Sequence, residues 1–558
     1  MDSVNIFPPR WEGCRSDARN ERDDVQGPPF AWPDGSAGAA ASTVYLNSGV
    51  DSVLIAKLKS DLSTARYTVE RLPALWGDQA EAALSRGQRI PALRALRSAP
   101  RPDPAATLAT LFVLGMPVPV VELERSLPVL GVDGAIALGL VEQCAGVVGP
   151  LIDLRPYSFI DDRGAGSWWI ASDLGELSTG EPLREDHVLG VGGASMTLTG
   201  LMIGNPVDTV LDLGTGCGIQ ALHASRHAGR VIATDISERA LELAAFNAEL
   251  NGITTIEFRH GSLFEPVAGE RVSQIVSNLP FVITPRTAGV PAYEYRDGGM
   301  IGDALVAGVI RDAAEHLATG GIAQLLGNWE YRHGEDGLDR VAGWLDGTGL
   351  DAWVIERDVQ DVAGYAETWI RDGGTRHGTP EFDRLYEAWL DDFEARGVEK
   401  VGFGYLLLRR PAPGDPAFRR MERLHGALGS NAAGLGAHLA ACLSSHDWQA
   451  RLSDQSLALA TLTVASDVTE ERHYWPGEEH PTVITLRQGG GFGRTIAADT
   501  ALAALVGACD GELSVRAISA ALAELLEADD SALLGQLLPS IRELLDTGIL
   551  LPPGGGTR

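Results

Sequence analysis

Lysine is nearly missing from this chain. Lys57, Lys59 and Lys400 stand against 42 arginines, and 75 acidic side chains leave a formal net charge of −30. So acidic a chain gains little sequence-independent attraction to phosphate backbones, which excludes broad nucleic-acid affinity and leaves room only for a local basic patch. Cysteine is scarce as well. Cys14, Cys144, Cys217, Cys442 and Cys509 are odd in number, widely scattered and never spaced as C-x-x-C. No disulfide framework or zinc site is expected, and a reducing compartment fits. There is no run of the roughly 18 apolar residues that a membrane span needs, and no apolar core of signal length near the start. A soluble, cytoplasmic protein is the expectation. Residues 1–45 lack hydrophobic periodicity and read as a disordered leader.

The 558 residues are enough for about three or four domains. Residues 46–180 read as a mainly helical N-terminal domain. Apolar helices are predicted over 108–114, 120–127 and 134–140, with Gly115-Met116-Pro117 as a break. Two β-prone runs follow, 146–148 and 151–154, split by Gly149-Pro150 and read as a hairpin. Three short helices and a hairpin give a winged-helix-like module. Trp168-Trp169-Ile170 predict a further strand. Between Glu81 and Asp103 there are no acids but five arginines, Arg86, Arg89, Arg94, Arg97 and Arg101. Their steps let one helix face carry most of them, apart from the interruption at Pro91. They form either a solvated face or a guide for RNA phosphates or an acidic protein.

The richest stretch is Val210-Leu211-Asp212-Leu213-Gly214-Thr215-Gly216-Cys217-Gly218. An apolar strand ends in alternate glycines, which permit a tight turn and let a ligand approach the backbone before a helix begins near Ile219. The spacing is G-x-G-x-G, not the G-x-G-x-x-G of dinucleotide sites. Residues 231–235 predict a second strand ending in Asp235, where a carboxylate can accept both hydrogen bonds of a ribose diol. Ser237 caps a helix over 238–250, residues 256–259 predict a third strand, and 272–277 a fourth ending at Asn278-Leu279-Pro280-Phe281.

In this order the motifs resemble class I S-adenosylmethionine (SAM) methyltransferases. The resemblance implies an α/β fold: a Rossmann-like seven-stranded sheet over residues 181–410, flanked by the winged-helix-like N-terminal domain and a similar module over 411–558. It implies SAM as cofactor, held by Asp212, Gly214, Thr215, Gly216, Gly218, Asp235, Ile236, Ser262, Leu263 and Asn278, with Thr197 on the lead-in segment. Ser262 stands where many relatives carry an acid. Asn278-Leu279-Pro280-Phe281 is similar to the Asn-Pro-Pro-aromatic motif of amino- and amide-directed N-methyltransferases. There Asn278 would accept one N–H through its side chain and Leu279 another through its carbonyl, Pro280 would fix the turn, and Phe281 would stack on a planar target. Tyr295-Arg296-Asp297-Gly298-Gly299 with Asp303 looks like the "methyltransferase small" group, which includes release-factor glutamine and ribosomal RNA guanine enzymes.

An insertion over about 358–400 carries an aromatic stripe at helical spacing, Tyr365, Trp369, Tyr386 and Trp389, which reads as packing. The insertion itself could roof the pocket, and residues 401–408 predict a late strand. Pro411-Ala412-Pro413-Gly414-Asp415-Pro416 reads as a linker. Beyond it lie a strand over 482–486 and helices over 499–508, 513–525 and 533–545. The glycine run 489–494 lacks the Lys-Ser/Thr of a P-loop and reads as a hairpin turn. The acceptor stays open: a nitrogen of rRNA, tRNA or a protein glutamine, or a small metabolite, with a catalytically weak SAM-binding interaction protein as the non-enzyme reading.

Overall fold

The computed structural model describes residues 51–98, 103–179 and 183–554. The expected leader over 1–45, and Arg101, lie outside them.

At the centre is an eight-stranded sheet. Its strands in chain order are β1 (Val207–Leu213), β2 (Ala228–Asp235), β3 (Ile256–His260), β4 (Val272–Asn278), β5 (Leu317–Arg332), β6 (Asp351–Asp361), β7 (Val398–Arg409) and β8 (Arg419–Arg423). They lie in the order β8-β6-β7-β5-β4-β1-β2-β3. The first five are parallel, while β7 runs antiparallel between β5 and β6. Chain order reverses between β1 and β4, so their C-terminal ends open a crevice of the kind in which α/β sheets bind ligands. Residues Val210 to Leu213 are buried without alternation, as in a strand covered on both faces. Six helices matter below: α1 (Gly193–Leu201), which precedes the sheet, and α2 (Ile219–Ala224), α3 (Glu238–Asn251), α4 (Ala304–His316), α5 (Val362–Asp372) and α6 (Pro380–Ala395) between its strands. Sequence sets the limits of α3. The Ser237 hydroxyl accepts from Ala240 N–H at 3.4 Å, and Gly252 closes the helix at φ 74°.

The expected seven strands become eight because β8, beyond the proline-rich linker, adds in parallel to β6. The sheet thus takes in a strand from beyond residue 411.

The N-terminal residues run helix (Pro104–Leu108, continued as a π-helix over Ala109–Val113), short strand (Val118–Pro119), helix (Val120–Ser126), helix (Gly131–Ala137) and strands Val141–Cys144 and Val147–Pro150. The pairing differs from the expected hairpin. Residues 147–150 pair with 141–144, while Ile152–Asp161 pairs with Gly164–Asp173 in a separate long hairpin that includes Trp168 and Trp169. The arginine face is not one helix either: Asp78–Leu84 and Ile90–Arg97 are separate, and Pro91 sits in the first turn of the second. Arg86, Arg94 and Arg97 are exposed, whereas Arg89 turns inward to donate to the Leu114 carbonyl at 3.1 Å. Cys144 is disulfide-bonded, contrary to the expectation of no disulfide, while Cys217, Cys442 and Cys509 are free and buried.

The N-terminal helices do not own a separate core. Leu58, Leu111, Phe112 and Leu154 belong to one apolar cluster with Ile219, Leu241, Ala244 and Phe258 of the sheet and its helices. Two asparagines bind the long hairpin to α3. Asn247 accepts from Ala171 N–H at 2.7 Å and donates to the Ala171 carbonyl at 2.9 Å, and Asn251 does the same for Trp169 at 3.0 and 2.9 Å. Spaced i, i+4 on the helix, they meet alternate residues of the strand and stand in for a neighbouring strand.

At the other end, helix Gly436–Ala450 packs Leu439 and Leu443 on Trp353, Tyr405 and the α1 residues Leu198 and Leu201. Helices Thr500–Ala508, Val515–Leu525 and Asp530–Asp546 share a further core with strand Thr461–Val464. The glycine run does join two paired strands, Val483–Gln488 and Thr495–Ala498. Its amides are used internally: Gly490 N–H donates to Asp467 and Gly491 N–H to Asn431. No described helix is long and apolar enough to cross a membrane.

Candidate active site

A cavity of about 330 Å³ opens at the C-terminal ends of β1, β2 and β4. Of the residues predicted from sequence, Gly214, Thr215, Gly216, Asp235, Ile236, Ser262, Leu263, Asn278, Leu279 and Pro280 line it. Asp212, Gly218, Thr197 and Phe281 do not.

The exceptions have physical reasons. Asp212 lies beneath the glycine loop, 1% exposed, where one carboxylate oxygen accepts from the Thr215 hydroxyl at 2.6 Å and from Ala221 N–H at 2.9 Å. It shapes the turn from behind, and its other oxygen has no hydrogen-bond partner. Burial pushes its pKa up to about 7, against the pull of those two donors. The glycines divide in the same way. Gly214 and Gly216 sit at φ 73° and 54°, and a Cβ on either would meet open space, which is the cradle a ligand needs. At Gly218, φ 87°, a Cβ would fall 2.9 Å from the Ala244 Cβ, so this glycine serves the close approach of α3. Thr197 lies on α1, whose contribution to the cavity is Ser195. Phe281 turns away toward Phe403, ring centroids 5.5 Å apart.

Asp235 ends β2 with both oxygens directed by backbone donors: Gly216 N–H at 2.9 Å and Ser237 N–H at 2.9 Å. It is tied to the glycine loop yet still borders the cavity. Burial raises its pKa, opposed by these N–H groups. Leu263 holds φ 47°, unusual for a branched residue, and carries its segment past the Asp235 end of the cavity. The Asn278 side-chain oxygen is buried and has no hydrogen-bond partner. The Leu279 carbonyl accepts from Phe281 N–H at 2.8 Å, which leaves one lone pair.

Behind the Asn278 loop stands a second one. Val282 N–H donates to the Arg296 carbonyl at 2.9 Å. Asp297 accepts from Tyr293 N–H at 2.6 Å and from the Thr284 hydroxyl, and burial raises its pKa. The insertion braces both loops from outside the cavity. The Tyr365 hydroxyl of α5 accepts from Ile283 N–H at 3.0 Å, and Arg296 donates to the Trp369 carbonyl at 2.7 Å and to Asp372 at 3.0 Å. Tyr365 and the α6 residues Trp389 and Phe393 bury against Val282 and Ile283, so the aromatic stripe is packing.

His187, Ser195, Gln220, Glu294, Tyr295 and Asp297 also line the cavity and were not assigned a role from sequence. Tyr295 and Asp297 fall in a run that the sequence singles out as a pattern. Gln220 carries no such signal, and its role is visible only in three dimensions: its amide donates to the Ser195 carbonyl at 2.7 Å and holds α1 to α2. Among the described residues no cluster of His, Cys, Asp or Glu could hold a metal ion.

Residues 192–334 match the methyltransferase small domain family. The chain contains a methyltransferase small domain. The family's methyl donor is SAM, and the residues present fit it: an open glycine cradle and a carboxylate at the second strand end. Two further segments, 64–151 and 440–552, each match a domain of unknown function (DUF7059 and DUF7782). The chain is 37% identical over 193 residues to a ribosomal protein uL3 glutamine methyltransferase from Bradyrhizobium diazoefficiens, covering 32% of this chain and 59% of that protein. It is 36% identical over 159 residues to a release factor glutamine methyltransferase from Xylella fastidiosa, covering 27% and 56%. A ribosomal protein L11 methyltransferase from Pelotomaculum thermopropionicum is 37% identical over 114 residues, covering 20% and 35%. The chain thus spans little more than half the length of the first two relatives.

Proposed function

We propose that this protein is a SAM-dependent N-methyltransferase of the cytoplasm, acting on a planar nitrogen of a macromolecule, with a protein glutamine amide as the preferred acceptor. The observation that carries this reading is the buried, unpartnered Asn278 oxygen in the same cavity as the glycine loop and Asp235. An amide or nucleobase nitrogen is a poor nucleophile because its lone pair is delocalised. Asn278 and the free lone pair of the Leu279 carbonyl can accept its two N–H hydrogens, draw it toward tetrahedral geometry and stabilise the positive charge that develops. The glycine cradle and Asp235 position the cofactor, whose sulfonium methyl group supplies the electrophile. The relatives named as glutamine methyltransferases favour the amide over a base, and so does the overall acidity of the chain.

Single-turnover transfer of a labelled methyl group from SAM to ribosomal and soluble-protein fractions tests the proposal. Asn278→Ala is expected to slow transfer about a hundredfold, because the lost acceptor acts mainly in the transition state. Its affinity for S-adenosylhomocysteine should stay within about twofold of wild type by calorimetry. A variant that transfers at the wild-type rate, or a wild-type protein that labels no fraction, would overturn the proposal.

A further inference from the structure

We infer that Tyr295, and not the aromatic residue of the Asn-Leu-Pro-Phe turn, is the planar face on which the acceptor group is held, and that Asp372 of the insertion positions it. The inference rests on the proposed methyl transfer. Phe281 is withdrawn from the cavity and packed on Phe403. Among the described residues that line the cavity, only His187 and Tyr295 carry aromatic rings. Tyr295 belongs to the acceptor end. The backbone just after it is joined to the backbone just after Pro280, through the Phe281–Asp297 bridge and the Val282 N–H bond to Arg296. The groups expected at the adenosine, Asp235, Ile236 and Leu263, come from other strand ends.

The ring is held at several points. Its hydroxyl donates to Asp372 at 3.0 Å, on the same carboxylate oxygen that takes Arg296. Its ring meets Tyr293 at 5.7 Å and His187 edge-on at 6.0 Å between centroids. A planar group pinned in this way orients a planar ligand at little cost in rotamer entropy. The insertion therefore reaches the substrate indirectly, by fixing Tyr295 through Asp372.

The test measures methyl transfer as a function of acceptor-fraction concentration for wild type, Tyr295→Ala, Tyr295→Phe and Phe281→Leu. S-adenosylhomocysteine affinity serves as the control for folding and for the cofactor end. Tyr295→Ala should raise the half-saturating acceptor concentration about tenfold, with a smaller change in maximal rate. Tyr295→Phe, which keeps the ring but loses its bond to Asp372, should fall between Tyr295→Ala and wild type, a wild-type value removing Asp372 from the positioning role, and Phe281→Leu should shift the value less than Tyr295→Ala does. Three results would overturn the assignment: an unchanged half-saturation in Tyr295→Ala, a loss as large in Tyr295→Phe, or a tenfold loss of S-adenosylhomocysteine affinity in Tyr295→Ala. If wild type transfers no label, the proposed reaction itself fails and the inference falls with it.

Discussion

Asp212 illustrates how one buried carboxylate governs a ligand loop from beneath, through Thr215, without lining the cavity itself. Its pKa stands near 7 in the folded protein, against about 3.8 for an unperturbed carboxyl. Between those values the native state holds a proton that the unfolded chain has released. The stability from this group is therefore present at low pH and is lost as pH rises through about 7. Asn at this position keeps an acceptor for Thr215 and Ala221 without the charge. Thermal unfolding of Asp212→Asn and wild type across pH 5 to 8 should show wild type losing ground to the variant as pH rises. A difference that stays constant, or widens in favour of wild type, would contradict the assignment. At this scale the sequence was legible where a residue's position along the chain settles its place, as for Asp235 at a strand end or Gly216 in the turn. It was not legible where orientation decides. Phe281 follows the acceptor motif in sequence yet turns to Phe403, while Tyr295 arrives from a separate loop.

Among the elements, β1, β2 and β4 could be read directly, because strands covered on both faces need unbroken apolar runs. The edge strand β8 could not. Its residues, Arg-Arg-Met-Glu-Arg, have no strand-like apolar pattern and sit behind a proline-rich segment. Ion pairs hold it instead: Arg423 with Asp336 and the fully buried Glu356, Arg420 with Glu543, and Glu422 with Arg494. Every partner is distant in sequence, so nothing local announces the strand. The arginine region likewise reads as one helix until Pro91 is seen to open a new one. Its exposed members still allow a decisive test of acceptor class. If the acceptor is nucleic acid, changing Arg86, Arg94 and Arg97 to Gln should weaken its binding and lower the slope of log affinity against log salt, by up to about three for three lost phosphate contacts. An unchanged slope would assign them to a solvated face, as the preferred glutamine acceptor implies.

For the whole molecule, the sheet is the common partner of the N-terminal helices, of α4 and of helix Gly436–Ala450, while the last three helices keep a core of their own. One face shares a core with the N-terminal helices. The opposite face is covered by α4 and its neighbours, and the β6–β7 end by helix Gly436–Ala450. The asparagine pair on α3 has a consequence for how this chain is made. Residues 51–173 leave the ribosome before α3, and the backbone groups of Ala171 and Trp169 that bond to α3 find their partners only when Asn247 and Asn251 have emerged. Leu58, Leu111 and Phe112 likewise remain without part of their packing until Leu241 and Phe258 are synthesised. A fragment ending near residue 180 should therefore unfold without a sharp transition and bind a hydrophobic dye, whereas one extended past β3 and the rest of the sheet should melt cooperatively. Cooperative melting by the short fragment would show that the N-terminal helices are self-sufficient. Otherwise about eighty residues of later synthesis separate an unfinished apolar surface from its cover.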